Sequence, residues 1–122
     1  MKYLCLVYLD ENRLDELPDE DCVAYDTTIR NSGHCLASEA LQSVQTATTV
    51  RVRDGSLAIT DGPFAETKEQ LTGFYMIEAK DLDEAIAIAA KIPPARVGSI
   101  EVRPVRPIRE TVAQRALSQT EV

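Results

Sequence analysis

Apolar positions form continuous runs in some parts of the chain and helical stripes in others. The run Lys2–Leu9 is almost wholly apolar, which is typical of a strand covered on both faces and predicts the central strand of a sheet. A second buried strand is predicted at Leu71–Ala79, where Gly73 indicates a bulge or a close backbone approach. Two further strands are predicted at His34–Leu41 and Gly98–Pro104.

A β-hairpin is predicted in the middle of the chain. Thr46–Arg53 alternates, with Thr48, Val50 and Val52 on one face, and Ser56–Thr60 is the returning strand. Asp54-Gly55 between them is a strong signal for a two-residue hairpin turn.

Two helices are predicted, one before the second strand and one before the last. The first begins near Pro18, which suits the first helical position, and ends at Asn31, with Gly33 as a C-terminal cap. Its face carries Cys22, Tyr25 and Ile29. The second opens at Asp81 and ends before Pro93-Pro94, with its buried stripe predicted at Leu82, Ala85, Ile86 and Ala89. Ile88 and Ile92 lie off this stripe and could extend it sideways.

The order of these elements is βαβ, a hairpin, then βαβ. This order predicts an α+β protein with a ferredoxin-like split βαβ sandwich and a β-hairpin insertion. Two helices on one side cannot bury Val7, Leu9, Phe74, Met76 and their neighbours together. We therefore expect a homodimer, sheet face against sheet face, that encloses a cavity and forms a dimeric α/β barrel.

The length of the chain indicates how many domains it forms, and its net charge indicates which classes of partner are disfavoured. The 122 residues fit one domain, predicted at residues 1–108, followed by a tail at 109–122. Within the tail, Thr111–Leu117 is expected to form a short helix and Ser118–Val122 to fray. The net charge of −7 disfavours nucleic acid and anionic membranes as partners.

No membrane segment, cofactor site or metal site is expected. The chain has no run of about 18 apolar residues, and its first residues lack the features of a signal peptide, so a cytoplasmic location is predicted. No glycine-rich phosphate loop is present. The cysteines Cys5, Cys22 and Cys35 form no CxxC pair, which argues against a zinc site. His34 precedes Cys35 directly, and adjacent strand residues point to opposite faces, so it is a poor base for that thiol.

The stretch Asp61–Glu69 holds the densest mixture of turn-forming and ionisable residues. Gly62-Pro63 stiffens the chain, which suits a structural corner followed by a solvated loop or, equally, a preorganised binding loop. Glu39 stands between small residues that leave room for a cleft. The predicted ligand-binding residues are Asp61, Gly62, Pro63, Phe64, Glu66 and Lys68 of this loop, with Glu39 and Tyr8. Asp61 and Glu39 are catalytic candidates because a carboxylate in an apolar cleft can act as acid or base. Lys68 is the third candidate, because it could pair with an anionic substrate group or hold a carboxylate.

The motif Asp61–Leu71, followed by Gly73-Phe74-Tyr75, closely resembles the signature of the DGPF proteins. These are a branch of the YCII-related domain family within the dimeric α/β-barrel superfamily. Further matches are Ala47–Gly55, Asp81–Ala85 and Gly98–Pro104, so the resemblance covers Met1 to about Ile108.

The resemblance implies the ferredoxin-like fold and a dimer, and little chemistry. One relative in the wider family resembles a dehydrochlorinase acting on a chlorinated hydroxyquinol, and some members are encoded beside extracytoplasmic-function sigma factors. Enzymatic proposals for the wider family use a histidine of the first helix with an aspartate. The first helix of this chain has no histidine, since His34 follows Gly33, so that mechanism does not transfer.

Two functions remain open on the sequence alone. The first is binding or transformation of a small organic molecule in the dimer cavity, with Lys68 facing an anionic group or a carboxylate. The alternative is a protein-interaction module linked to a sigma factor, which rests on family analogy. Whether the protein is an enzyme stays open.

Overall fold

The computed structural model describes residues 1–120 and shows a mixed α+β protein. Its main sheet is antiparallel and has the strand order β2-β5-β1-β6, with β1 at Lys2–Leu9, β2 at Cys35–Ala40, β5 at Gln70–Glu78 and β6 at Ser99–Pro104. A separate hairpin consists of β3 at Thr48–Arg53 and β4 at Ser56–Asp61. The helices are α1 at Asp19–Asn31, α2 at Leu82–Ala89 and α3 at Ile108–Thr120. This strand order is that of the predicted split βαβ sheet.

The core lies between the sheet and the first two helices. Alternate residues of β1 point towards the helices, and Tyr3, Cys5, Val7 and Leu9 are all buried. The central position of β1, predicted from its continuous apolar run, is confirmed by its pairing with both β5 and β6.

The predicted buried stripe of α2 is rotated from the observed one. Ala85 and Ala89 are buried as predicted, but Leu82 and Ile86 are about half exposed. Ile88 packs against the core instead. The small alanine side chains let the helix backbone approach the sheet, so the contact is centred on the alanine face rather than on the larger aliphatic residues.

Helix α1 begins one residue later than predicted. Pro18 adopts an extended conformation at the N-cap, so it precedes the helix and does not occupy its first turn. The predicted inner face is confirmed, since Ile29 is buried and Cys22 and Tyr25 are half-buried. Gly33 follows the helix with φ at 81°, in the left-handed region that suits glycine at a helix end.

The hairpin is present as predicted and projects from the sheet. Asp54 and Gly55 have φ of 52° and 76°, as a tight two-residue turn requires. Cross-strand pairing places four aliphatic side chains on one face of the hairpin, and each is at least 60% exposed: Val50, Val52, Leu57 and Ile59. We call this hairpin the arm.

The sheet face away from α1 and α2 carries half-buried apolar side chains. Leu4, Leu6 and Tyr8 of β1 lie there beside Phe74 and Met76 of β5. We call it the open face. The sequence predicts that Val7 and Leu9 are among the apolar residues that two helices on one side cannot all bury. Both residues instead lie on the helix side of the sheet.

The tail is more helical than predicted. Helix α3 starts at Ile108 and continues past Leu117 to Thr120, while the expectation of fraying for Glu121 and Val122 falls outside the described residues. Among the helices described, none is both long and apolar enough to cross a membrane.

Candidate functional site

A cavity of about 530 Å³ lies between α1 and the strands β2 and β5. Its walls are mainly apolar and include Val7, Leu9, Leu14, Leu17, Val23 and Leu41. We call it the helix-side cavity. Such a volume, with apolar walls, is in the range of small-molecule sites.

Three polar residues meet in the wall of this cavity. The Ser38 hydroxyl donates to Asp26 Oδ1 at 2.5 Å, and Arg30 Nε donates to Asp26 Oδ2 at 2.8 Å. Arg30 Nη2 donates to both the hydroxyl and the carbonyl of Ser38, at 2.7 and 3.2 Å. Each oxygen of the Asp26 carboxylate therefore accepts a hydrogen bond. We call these residues the polar cluster.

Local structure explains why the polar cluster forms. Asp26 and Arg30 are four residues apart on α1, which places them on the same face of the helix. Ser38 faces α1 because it pairs with Tyr75, an inward-facing residue of β5. Ser38 is buried, with 7% of its surface exposed, so its hydroxyl needs partners inside the protein.

Hydrogen bonds from Ser38 and Arg30 within the polar cluster keep Asp26 ionised. The hydrogen bond from Ser38 lowers the pKa of Asp26 against the effect of burial, and the Arg30 guanidinium lowers it further. A carboxylate with a lowered pKa is a weak proton acceptor at neutral pH. The cluster is therefore suited to holding and orienting a ligand rather than to general-base catalysis.

Two tyrosines pack edge to face beside the cluster. The rings of Tyr25 and Tyr75 have centroids 5.6 Å apart at 78°. The Tyr25 hydroxyl donates to the Ile88 carbonyl at 3.1 Å. Tyr75 lines the helix-side cavity, and burial raises its pKa to about 12, with a further contribution from the Asp26 charge. It therefore remains a protonated hydrogen-bond donor at physiological pH.

Charge in the cavity lining is predominantly negative. Arg30 is the one basic residue among the described residues that line it, and it is paired with Asp26. Glu11 and Asp19 also line the cavity. The Glu11 carboxylate accepts from the Ser43 hydroxyl at 2.9 Å and from the Val44 amide at 2.7 Å, so it also fixes the turn after β2.

Comparison with known proteins gives the family. The YCII-related domain matches residues 1–109. The chain belongs to the YCII-related domain family. A protein of Rhizobium meliloti (strain 1021), described as uncharacterised, is 38% identical over 114 residues, covering 86% of this chain and 92% of that protein.

A solved structure supports the fold. It is the 5-chloro-2-hydroxyhydroquinone dehydrochlorinase of Burkholderia phenoliruptrix in complex with 2,5-dihydroxybenzoquinone. The TM-score is 0.54 at 12% identity, and the match covers 87% of the YCII-related chain and 94% of the dehydrochlorinase. At that identity the likeness shows a shared fold and leaves the chemistry of this chain open.

The predicted site residues do not gather in the helix-side cavity of this YCII-related protein. Glu39 contributes to the lining, but it pairs with Phe74, so its side chain points towards the open face. Tyr8 also lies on the open face. Asp61 is the last residue of β4, and the loop that follows the arm carries Gly62, Pro63, Phe64, Glu66 and Lys68. All six residues are absent from the cavity lining.

The loop after the arm has a clear structural role at its start. Gly62 has φ at 101°, its amide donates to the Ala47 carbonyl at 2.7 Å, and its carbonyl accepts from the Thr49 hydroxyl at 2.8 Å. These bonds close the base of the arm. Phe64 beyond it is 79% exposed, so a ligand role for the loop stays a prediction.

Sequence reasoning missed Asp26, Arg30 and Tyr75 and treated Ser38 only as a small neighbour of Glu39. The available signal was the Asp26–Arg30 spacing beside the inner face of α1. The partner Ser38 comes from another element, and its inward direction depends on the register with β5. That register could not be read from the sequence.

His34 and Cys5 take structural positions. His34 Nδ1 lies 2.9 Å from the Glu78 carbonyl oxygen, a contact that joins the start of β2 to the end of β5. Cys5 is fully buried, and burial raises its pKa to about 11, as a small core residue should show. Within the described part of the chain, no group of three histidine, cysteine or acidic residues is arranged to hold a metal ion.

Proposed function

We propose that this YCII-related protein binds a small organic molecule in the helix-side cavity. The observation that carries the proposal is a cavity of about 530 Å³ whose apolar walls include a hydrogen-bonded polar cluster. Ligand sites commonly combine an apolar surface with a few fixed polar groups that orient the ligand. The dehydrochlorinase with the same fold binds a quinone, which makes quinones, quinols and simple aromatic molecules sensible first probes.

Binding is favoured over acid–base catalysis by the residues present. Asp26 is held ionised by Ser38 and Arg30, so it does not offer a base with a pKa near neutrality. Glu39, Asp61 and Lys68 stay candidates for the open face and the loop, where they would act on a ligand held between two copies of the chain.

The experiment titrates a panel of small aromatic probes into the wild type and two valine-to-tryptophan variants, and follows binding by NMR signals of the protein. Val23 lines the cavity and is 65% exposed at its rim, so Val23→Trp should obstruct entry without burying a larger side chain in the core. Val52→Trp on the arm, at 60% exposure, is the matched control. We expect the probes to change amide chemical shifts near α1 and β2 in the wild type and in Val52→Trp. These changes should be lost in Val23→Trp. Equal binding by all three proteins would place the site elsewhere.

We also propose that the protein is a homodimer that pairs its open faces and forms a dimeric α/β barrel. The half-buried apolar residues Leu4, Leu6, Phe74 and Met76 support this arrangement, because two helices cover the other face only. A second cavity between the two sheets would then be bordered by Glu39 and Tyr8. One observation supports the alternative that the protein is a protein-interaction module, namely the exposed aliphatic face of the arm. The simplest partner for that face is a second copy of the chain.

Three finer assignments belong to the same proposal. The motif Asp61–Leu71 supports membership of the DGPF branch within the family. A cytoplasmic location and a sigma-factor link stay predictions, the second resting on family analogy alone.

A further inference from the structure

The Tyr75 hydroxyl is a hydrogen-bond donor left without a protein partner. No hydrogen bond from it occurs among the described residues, whereas the neighbouring Tyr25 hydroxyl is bonded to the Ile88 carbonyl. The described residues also leave no fully buried side-chain nitrogen or oxygen without a hydrogen bond. The free hydroxyl of Tyr75 is therefore accessible, and Tyr75 is one of the residues lining the helix-side cavity.

An accessible hydroxyl of this kind bonds to water, and an acceptor on a ligand in the cavity would replace that water. A phenol donates well to a carbonyl or another neutral oxygen. The ring of Tyr75 is already fixed by its edge contact with Tyr25. The hydroxyl is thus held in place by packing, so a ligand oxygen could bond to it at little cost in side-chain ordering.

Charge in the lining selects against anionic ligands. The one guanidinium, Arg30, is already neutralised by Asp26 at 2.8 Å. Glu11 and Asp19 add two carboxylates that have no ion-pair partner among the described residues. A cleft lined by charge of one sign repels ligands of that sign. A carboxylate ligand would meet this field without a free cation to receive it.

We propose that the helix-side cavity takes an uncharged, largely apolar molecule with a carbonyl oxygen, and that Tyr75 donates the hydrogen bond that orients this oxygen. The inference rests on the proposed function, since it specifies the ligand of the same cavity. It makes Tyr75 a specificity-determining residue, and it assigns the polar cluster the role of fixing the wall next to it.

The test uses three probes of similar size: acetophenone, which has the neutral carbonyl; ethylbenzene, which lacks the oxygen; and benzoate, which carries the charge. Each is titrated into the ¹⁵N-labelled protein, and dissociation constants are fitted from amide shifts. In the wild type we expect acetophenone to bind about tenfold more tightly than benzoate.

Two phenylalanine variants separate the hydroxyl from the ring. Tyr75→Phe should weaken acetophenone binding about three- to tenfold and leave ethylbenzene binding unchanged. Tyr25→Phe is the matched control, because its hydroxyl is bonded to Ile88 and Tyr25 is not a lining residue. It should leave the affinities for both probes unchanged.

The outcomes distinguish this inference from the proposed function. If acetophenone and ethylbenzene bind near α1 and β2 but Tyr75→Phe changes neither affinity, the Tyr75 assignment is wrong and the binding cavity stands. If benzoate binds as tightly as acetophenone, the charge selection is wrong. If no probe moves an amide of the cavity, both proposals fail together.

Discussion

The Ser38 hydroxyl lies 2.5 Å from Asp26 Oδ1 and joins the first helix to the second strand, 12 residues further along the chain. Ser38 is 7% exposed, so its hydrogen bonds cannot be replaced by bulk water without rearrangement. The bond is charge-assisted because Asp26 is ionised, and such bonds are stronger than neutral ones. It fixes α1 over the wall of the helix-side cavity.

Removing this hydroxyl should destabilise the fold. Ser38→Ala leaves Asp26 Oδ1 and one Arg30 donor without their partner, and we expect the free energy of unfolding to fall by about 1–3 kcal/mol. Urea denaturation monitored by circular dichroism measures the change. Ser99→Ala is the control, because the Ser99 hydroxyl bonds to Glu69 at 2.8 Å in an exposed position. A loss no larger than that of the control would mean that water replaces the Ser38 bonds.

The same contact predicts how stability depends on pH. The pKa of Asp26 is lowered in the folded protein by Ser38 and Arg30, whereas in the unfolded chain it lies near the ordinary aspartate value of about 3.9. The folded state therefore binds fewer protons in this range, so the stabilisation is present above the unfolded pKa and is lost as the pH falls through the lowered one. In Asp26→Asn the stability should therefore fall less steeply than in the wild type as the pH drops below about 4.

Thermal unfolding between pH 2 and 7 checks this dependence. Asp15→Asn, at an exposed aspartate for which no hydrogen bond or ion pair occurs in the described part of the chain, is the matched control and should keep the wild-type profile. An acid limb of unchanged slope in Asp26→Asn would show that other carboxylates dominate the acid response.

A close backbone approach at Gly73 yields the third prediction. A Cβ at this position would lie 2.8 Å from the Glu39 carbonyl oxygen and 3.3 Å from the Ala40 Cα, both backbone atoms of β2. Gly73→Ala should therefore separate β2 from β5 and destabilise the protein by about 1–3 kcal/mol. It should also weaken probe binding, since both strands line the cavity.

Gly33→Ala is the comparison for this variant. At Gly33 a Cβ meets nothing within 4 Å, and the cost arises only from φ at 81°, so we expect a loss near 1 kcal/mol with probe binding intact. Chemical denaturation and probe titration of both variants separate the two causes. Normal probe affinity in a destabilised Gly73→Ala would contradict the link between this register and the cavity.

The sequence was informative where one residue type has a single local meaning. Asp54-Gly55 predicted the hairpin turn, because a tight turn needs positive φ at both positions. Gly73 indicated a bulge or a close backbone approach, and the close approach is observed, since a Cβ there would meet the backbone of β2. The apolar run of β1 likewise predicted a central strand. These features depend on a few neighbouring residues.

The cavity was beyond sequence reasoning because it depends on the relation between elements. Asp26 and Ser38 meet only when α1 packs over β2 with the register that turns Ser38 inward. The predicted α2 stripe was wrong at Leu82 and Ile86 for a related reason. The spacing of apolar residues identified a helix, but the small residues Ala85 and Ala89 decided how that helix is rotated on the sheet. The many ionisable residues of Asp61–Lys68 led to the prediction of a binding loop there, but none of these residues lines the helix-side cavity.

The open face gives the last prediction, which concerns assembly. Leu6 and Phe74 are cross-strand partners on the sheet face opposite α1 and α2, and a charge there would oppose the burial of that face against a second copy. Leu6→Asp should convert a dimer into a folded monomer, as measured by light scattering coupled to gel filtration, with circular dichroism to confirm that the fold is retained. Val23→Asp, at an apolar position on the opposite side that is 65% exposed, is the control and should stay dimeric. A wild-type mass of a single chain at micromolar concentration would overturn the dimer, and with it any cavity between two open faces. The helix-side cavity would be untouched by that result, because the residues that line it come from one chain.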